Sequence, residues 1–220
     1  MNKERMSMKG VFKLALVVLV LLSIWCGYKW NEARSYKAAT VPILKMTSLA
    51  VNNVMVYEAG NGSKISVKDY MALLEGNAAD IDKKVIELQA LGPAPEKSTE
   101  ATTIDYLKAC QHFQRRLFDK TRTHLALNVA AKIEADNVGE VEETGGYGSP
   151  DGYYAQEALN RSQESVKTAK DEYAQASEEF YSSADSLLKT YRVTKLVVPE
   201  SALIDAVALE KIVRSGWVAK

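Results

Sequence analysis

The sequence predicts an all-α protein in which a single N-terminal transmembrane helix is followed by an elongated antiparallel helical bundle with coiled-coil-like packing. Three observations carry this. Within residues 14–25, nine of twelve residues are Leu, Val or Ile. Further on, apolar residues recur three and four apart over long runs, the helical period. From Leu159 to Leu187, large residues then return every seven positions, the spacing of a helix-packing seam.

The apolar run comes first. At about −0.3 to −0.6 kcal/mol per apolar residue it favours insertion by roughly 4 kcal/mol. Only Ser23 interrupts it, whereas a soluble helix shows a polar side. Residues 11–28 span about 27 Å of helix, slightly short of a ~30 Å hydrocarbon core. Lys13 can snorkel at one end, and Trp25, Tyr28 and Trp30 form an aromatic belt at the other. Signal-peptide cleavage needs small residues at −3 and −1. Cuts after Gly27, Ala33 or Ala39 put Trp25, Asn31 or Lys37 at −3, so an uncleaved signal anchor is expected. Lys3, Arg5, Lys9 and Lys13 precede the run, and Lys29, Arg34 and Lys37 follow it. That count favours a cytoplasmic N-terminus.

The expected organisation is a short basic tail (1–10), a transmembrane signal anchor (11–28), a stalk (29–41) and an extracytoplasmic helical bundle domain (42–220). The chain would then lie in the inner (plasma) membrane as a single-pass protein, with its C-terminal domain periplasmic or extracellular.

Pro42 should end or restart the helix that leaves the membrane. A short amphipathic helix follows through Ile43, Met46, Ala50, Val54 and Tyr57, stopped by the Gly60-Asn61-Gly62 turn signal. Ser66 with Asp69 resembles a capping arrangement. The next helix carries Tyr70, Leu74, Asn77, Ile81, Val85, Leu88 and Leu91 on one face, with Gly76 as a weak point. Residues 92–103 read as a linker, broken by Pro93 and Pro95.

Thr102 or Thr103 should cap a long helix through Leu107, Cys110, Phe113, Leu117, Leu125, Val129 and Ile133. The last long helix has the clearest pattern. Leu159, Val166, Tyr173, Phe180 and Leu187 form a heptad seam, and the small residues Ser162, Ala169, Ala176, Ser183 and Thr190 lie three positions after them. Small seam residues let a partner helix approach closely, within the chain or from another copy. Residues 192–198 read as a short extended segment. A final amphipathic helix runs through Leu203, Val207, Leu209, Ile212 and Val213, with Trp217 in a tail.

Lys plus Arg and Asp plus Glu are 28 each, so no net field attracts nucleic acid. Cys26 and Cys110 are expected to be free thiols, because a bridge would have to join the membrane boundary to the domain. The glycines of residues 145–154 fit neither dinucleotide nor P-loop spacing. That stretch reads as a helix connection turning at Pro150, Asp151 and Gly152, with Tyr147, Tyr153 and Tyr154 as a candidate partner-binding loop.

Glu134, Asp136, Glu140, Glu142 and Glu143 precede it, but Val138 breaks the calcium-loop pattern, so they read as a solvated acidic helix end. His112 and His124 lie too far apart on one helix to share a metal. Lys108, His112, Arg115 and Arg122 line one side of that helix as a candidate anion-binding face. No nucleophile with a base, carboxylate pair or metal shell assembles, so neither catalysis nor a cofactor is expected. The expectation is contact with the lipid bilayer and with a protein partner or second copy, as an adaptor or accessory subunit. The alternative is an extracytoplasmic ligand-binding sensor working with a separate signalling partner.

Overall fold

A computed structural model describes residues 8–58, 65–92 and 97–218, with only the backbone at 8–14, 97–98 and 217–218. The start of the basic tail, the 60–62 turn signal, Pro93 and Pro95 lie outside the described residues. Among the described residues five α-helices make the fold: α1 (Met8–Glu58), α2 (Val67–Ala90), α3 (Lys97–Thr144), α4 (Pro150–Thr194) and α5 (Ala206–Val218). There is no strand among the described residues. Cross-helix contacts set the directions. Ser48 meets Tyr106 and Glu58 meets Lys120, so α1 and α3 run the same way. Asn77 donates to the Ala50 carbonyl and Tyr70 to Glu58, so α2 returns. Phe113 against Phe180 and Asn137 against the Ala158 carbonyl make α4 antiparallel to α3.

α1 corrects the first expectation, because it passes through Pro42 without a break. Proline removes one backbone donor and crowds the preceding turn, at a cost of about 3 kcal/mol in a helix interior. Packing on both sides offsets it: Tyr36, Thr40, Leu44, Thr47, Ser48, Val51 and Met55 are buried. Packing therefore begins inside the stretch expected to be a free stalk. Of the expected stripe, Ile43 and Val54 are buried and Ala50 and Tyr57 half-buried, while Met46 is 59% exposed because the buried face is centred on Leu44, Val51 and Met55. Toward the N-terminus, every side chain from 15 to 31 is exposed, so nothing among the described residues covers this part of the apolar run. This part of α1 is long and apolar enough to cross a membrane.

α2 starts where expected. The Ser66 hydroxyl accepts from the Asp69 N–H at 3.1 Å and donates to its carboxylate at 2.6 Å. Tyr70, Leu74, Ile81 and Leu88 are buried, and Leu91 falls outside the stripe, past the helix end. α3 begins earlier than its expected cap. Thr103 sits in the second turn, fully buried, and its hydroxyl donates back to the Thr99 and Glu100 carbonyls. α4 runs through Thr194. The segment 195–198 is turned rather than extended, because the N–H groups of Lys195 to Val198 still find carbonyls three or four residues back. Its β-branched residues suggested a strand, but local hydrogen bonding prevails. Trp217 belongs to α5 rather than to a tail, and Val207 is exposed.

The main core joins Leu44, Val51 and Met55 of α1, Leu74 and Ile81 of α2, and Phe113 and Leu117 of α3 to Phe180 and Leu187 of α4 and Leu209 of α5. The Tyr106 hydroxyl pins the α4–α5 connection to this core. It lies 2.8 Å from the Ser48 hydroxyl and accepts from the Ile204 N–H at 3.0 Å, while Ser48 donates to the Ala202 carbonyl. Glu58 closes the upper end, taking a hydrogen bond from Tyr70 at 3.0 Å and an ion pair from Lys120 at 2.9 Å. The Lys120 ammonium also stands 4.6 Å from the centre of the Phe180 ring. There α1 ends and α2 begins, while α3 and α4 continue as a two-helix hairpin. From residue 121 to its end at Thr144, α3 extends about 36 Å further.

Candidate interaction surfaces on the hairpin

The heptad seam of α4 faces α3 of the same chain. Leu159, Val166, Phe180 and Leu187 are buried and Tyr173 is half-buried, its ring 5.1 Å from that of His124. The partner seam on the upper part of α3 differs from the expected one. Leu127 and Ala130 pack against Val166 and Ala169 in a small cluster of their own. Asn137 then donates to the Ala158 carbonyl. Val129 and Ile133, expected in the core path, are 59% and 50% exposed. The small residues Ser162, Ala169 and Ala176 are buried, so the two backbones lie close with little bulk between them.

Gly145 and Gly146 make the turn at the tip, both in the left-handed region that glycine adopts without strain. The Gly145 N–H reaches back to the Val141 carbonyl and closes α3. Ser149 caps α4, its hydroxyl accepting from the Gly152 N–H at 3.0 Å. The turn is thus at Gly145–Ser149, and Pro150, Asp151 and Gly152, expected as the turn, form the first turn of α4. A side chain at Gly152 would collide with the Gly146 carbonyl oxygen, so the close crossing requires glycine.

The tip brings the three candidate tyrosines together. Tyr147 and Tyr153 meet edge-to-face at 5.9 Å, and Tyr153 and Tyr154 at 5.8 Å. All three are exposed. Asn160 donates to the Tyr147 hydroxyl, and the Tyr153 hydroxyl donates to Glu157, whose hydrogen bond and negative charge raise the phenol's pKa. Tyr154 makes edge contact but projects furthest, 69% exposed. Side chains held by neighbours while their faces stay in water suit binding, because little rotamer freedom remains to be lost.

The candidate anion face does not form a pocket. Lys108, His112, Arg115 and Arg122 are all exposed along one side of α3. Arg115 pairs with Asp82 of α2 at 3.2 Å. Arg122 borders a shallow groove shared with Arg116 and the carboxylates of Asp119, Glu172 and Glu179. Opposite charges interleave there, so no concentrated positive field results. Cys26 is exposed on α1, and Cys110 is fully buried beside Tyr106, where burial pushes its thiol up to about 12. Compared with protein-family models, with curated proteins and with solved structures, the chain matches none.

Proposed function

We propose that this is a single-pass, membrane-anchored helical-bundle protein that works by protein–protein contact in the cell envelope, as an adaptor or accessory subunit. The observation that carries the reading is the hairpin. It projects beyond a well-packed bundle and ends in three clustered, exposed tyrosines, the residue type most useful at contact surfaces. The uncovered apolar part of α1 supports the anchor. Because α1 continues from that segment into the bundle as one helix, the anchor joins the bundle that carries the hairpin without a break. In this reading residues 11–28 span the inner membrane, the N-terminus is cytoplasmic, and the tip points away from the bilayer. The sensor alternative draws no comparable support, since the basic residues that would hold an anion lie on an open helix side.

Photo-crosslinking in intact cells tests it, with the probe at Tyr154 and, on the shaft of the hairpin, at Lys170. The expected result is a discrete protein adduct from Tyr154, weakened when Tyr147 and Tyr153 are both changed to Ser. Absence of any protein adduct from either position would overturn the contact function.

A further inference from the structure

The outer side of α3 carries a charge pattern of which the bundle uses one member, Arg115, paired with Asp82 of α2. Every seventh residue from 108 to 143 reads Lys108, Arg115, Arg122, Val129, Asp136, Glu143. Positions seven apart share one side of a helix in a coiled coil, and all six are exposed in the structure. Three basic residues stand below Val129 and two acidic ones above it. Leu125 and Ile133 flank Val129 at equal distances along the chain. Of the charged members, only Arg115 has an ion partner within the described residues, the half-exposed Asp82.

We propose that this side of α3 binds a second copy of the chain in antiparallel orientation, about a two-fold axis at Val129. The inference rests on the proposed contact function and names the partner. In this arrangement Val129 meets its own counterpart, Leu125 meets Ile133 of the other copy, Arg122 meets Asp136, and Arg115 meets Glu143. Every pair is repeated by symmetry, as an isologous contact requires. Parallel pairing of the same surface would set Arg122 against Arg122 and Asp136 against Asp136, which like-charge repulsion opposes. The same rule explains why the basic half forms no anion site: its complement is the acidic half of the same helix. The apolar centre is small, so charge selects orientation and register while Leu125, Val129 and Ile133 exclude water between them. Because the apolar part of α1 lies at the end away from the tip, the pair carries its two anchors at opposite ends.

Single cysteines read this geometry directly, introduced in the purified full chain in detergent micelles with C26S removing the exposed native thiol. Under mild oxidation V129C should form a disulfide-linked dimer. L125C and I133C alone should not, since each would face a position eight residues from its own counterpart, about 12 Å away. The L125C/I133C double variant should crosslink. Adding R122E or D136K should lower the V129C dimer yield at least five-fold at low salt, and R122E with D136K together should restore it. Arg122, Val129, Ile133 and Asp136 are exposed and Leu125 is half-buried, so a thermal unfolding curve of each variant matching the parent's separates loss of pairing from loss of fold. Equal crosslinking of all three single variants, insensitive to charge, would show parallel or random pairing and overturn the inference. No V129C dimer, together with a foreign protein captured at Tyr154, would overturn it while leaving the contact function standing. A V129C dimer with no adduct at Tyr154 would uphold it and remove the tip from the contact function.

Discussion

α3 lives in two environments, and the contrast between them organises the molecule. Below Lys120 its residues Leu107, Cys110, Phe113 and Leu117 are fully buried among the other helices. Above Lys120 the same helix packs mainly on α4, through His124, Leu127, Ala130 and Asn137, and its first turns border a groove with Tyr57 of α1 and Tyr70 of α2. Buried apolar area sets most of a domain's stability. The lower bundle therefore holds the fold, and the hairpin is a lightly packed extension free to present its surface. Stability is not uniform along a structure, and segments with few buried contacts open first. The hairpin belongs to that second class.

The largest effect should come from the lower bundle. Phe113 is fully buried, and its ring lies 5.3 Å from that of Phe180. Phe113→Ala should cost about 3–5 kcal/mol in urea unfolding. A loss below about 1 kcal/mol would mean that this junction is not the packed centre of the fold.

Next is the polar tie. Tyr106→Phe removes the group that accepts from the Ile204 N–H and contacts Ser48, leaving a buried donor unpaired. The expected cost is about 1–3 kcal/mol, with faster hydrogen exchange at the Ile204 amide. Alkali probes the same place. The Cys110 thiol is raised by burial from 9.0 to about 12, so its neutral form is favoured in the folded state. That contribution is present in full below the unfolded value and is lost as pH rises from there through the folded one. Relative to the native chain, Cys110→Ala should flatten the fall in stability above pH 9 by about 1 kcal/mol per pH unit. Parallel curves would mean that water reaches the thiol.

The same contrast explains what could be read in the sequence. The α4 seam was legible because its seven-residue period never slips from Leu159 to Leu187. The upper seam of α3 was not. Reading by hydrophobicity follows the most apolar line, Leu125, Val129 and Ile133, whereas a helix with one neighbour needs only small or polar residues there, such as Ala130 and Asn137. Pro42 and Thr103 were misread for a related reason: local signals for a break and a cap lose to tertiary packing once Tyr36, Thr40 and Tyr106 are buried around them. The tip was legible as a tyrosine-bearing connection. Its reach was not, because that depends on where α1 and α2 stop. In the sequence the strip on α3 reads as two separate features, a basic side and an acidic end, because only the shared exposed side of one continuous helix relates them about Val129.

The smallest effect on overall stability should come from the hairpin. Val166 is the largest buried residue of the upper cluster, with Ala130 and Ala169, and the half-buried Leu127 packs against it. Removing two methyl groups from a site with few neighbours costs about 1 kcal/mol, because the flanking helices can settle inward. In Val166→Ala that loss should fall on the hairpin alone. Amides between 127 and 170 should exchange several-fold faster, while those around Phe113 and Leu187 stay unchanged and the main thermal transition barely moves. A uniform rise in exchange would tie the hairpin and bundle into one cooperative unit. Selective loosening would leave the lower bundle holding the fold while the arm answers to whatever it meets.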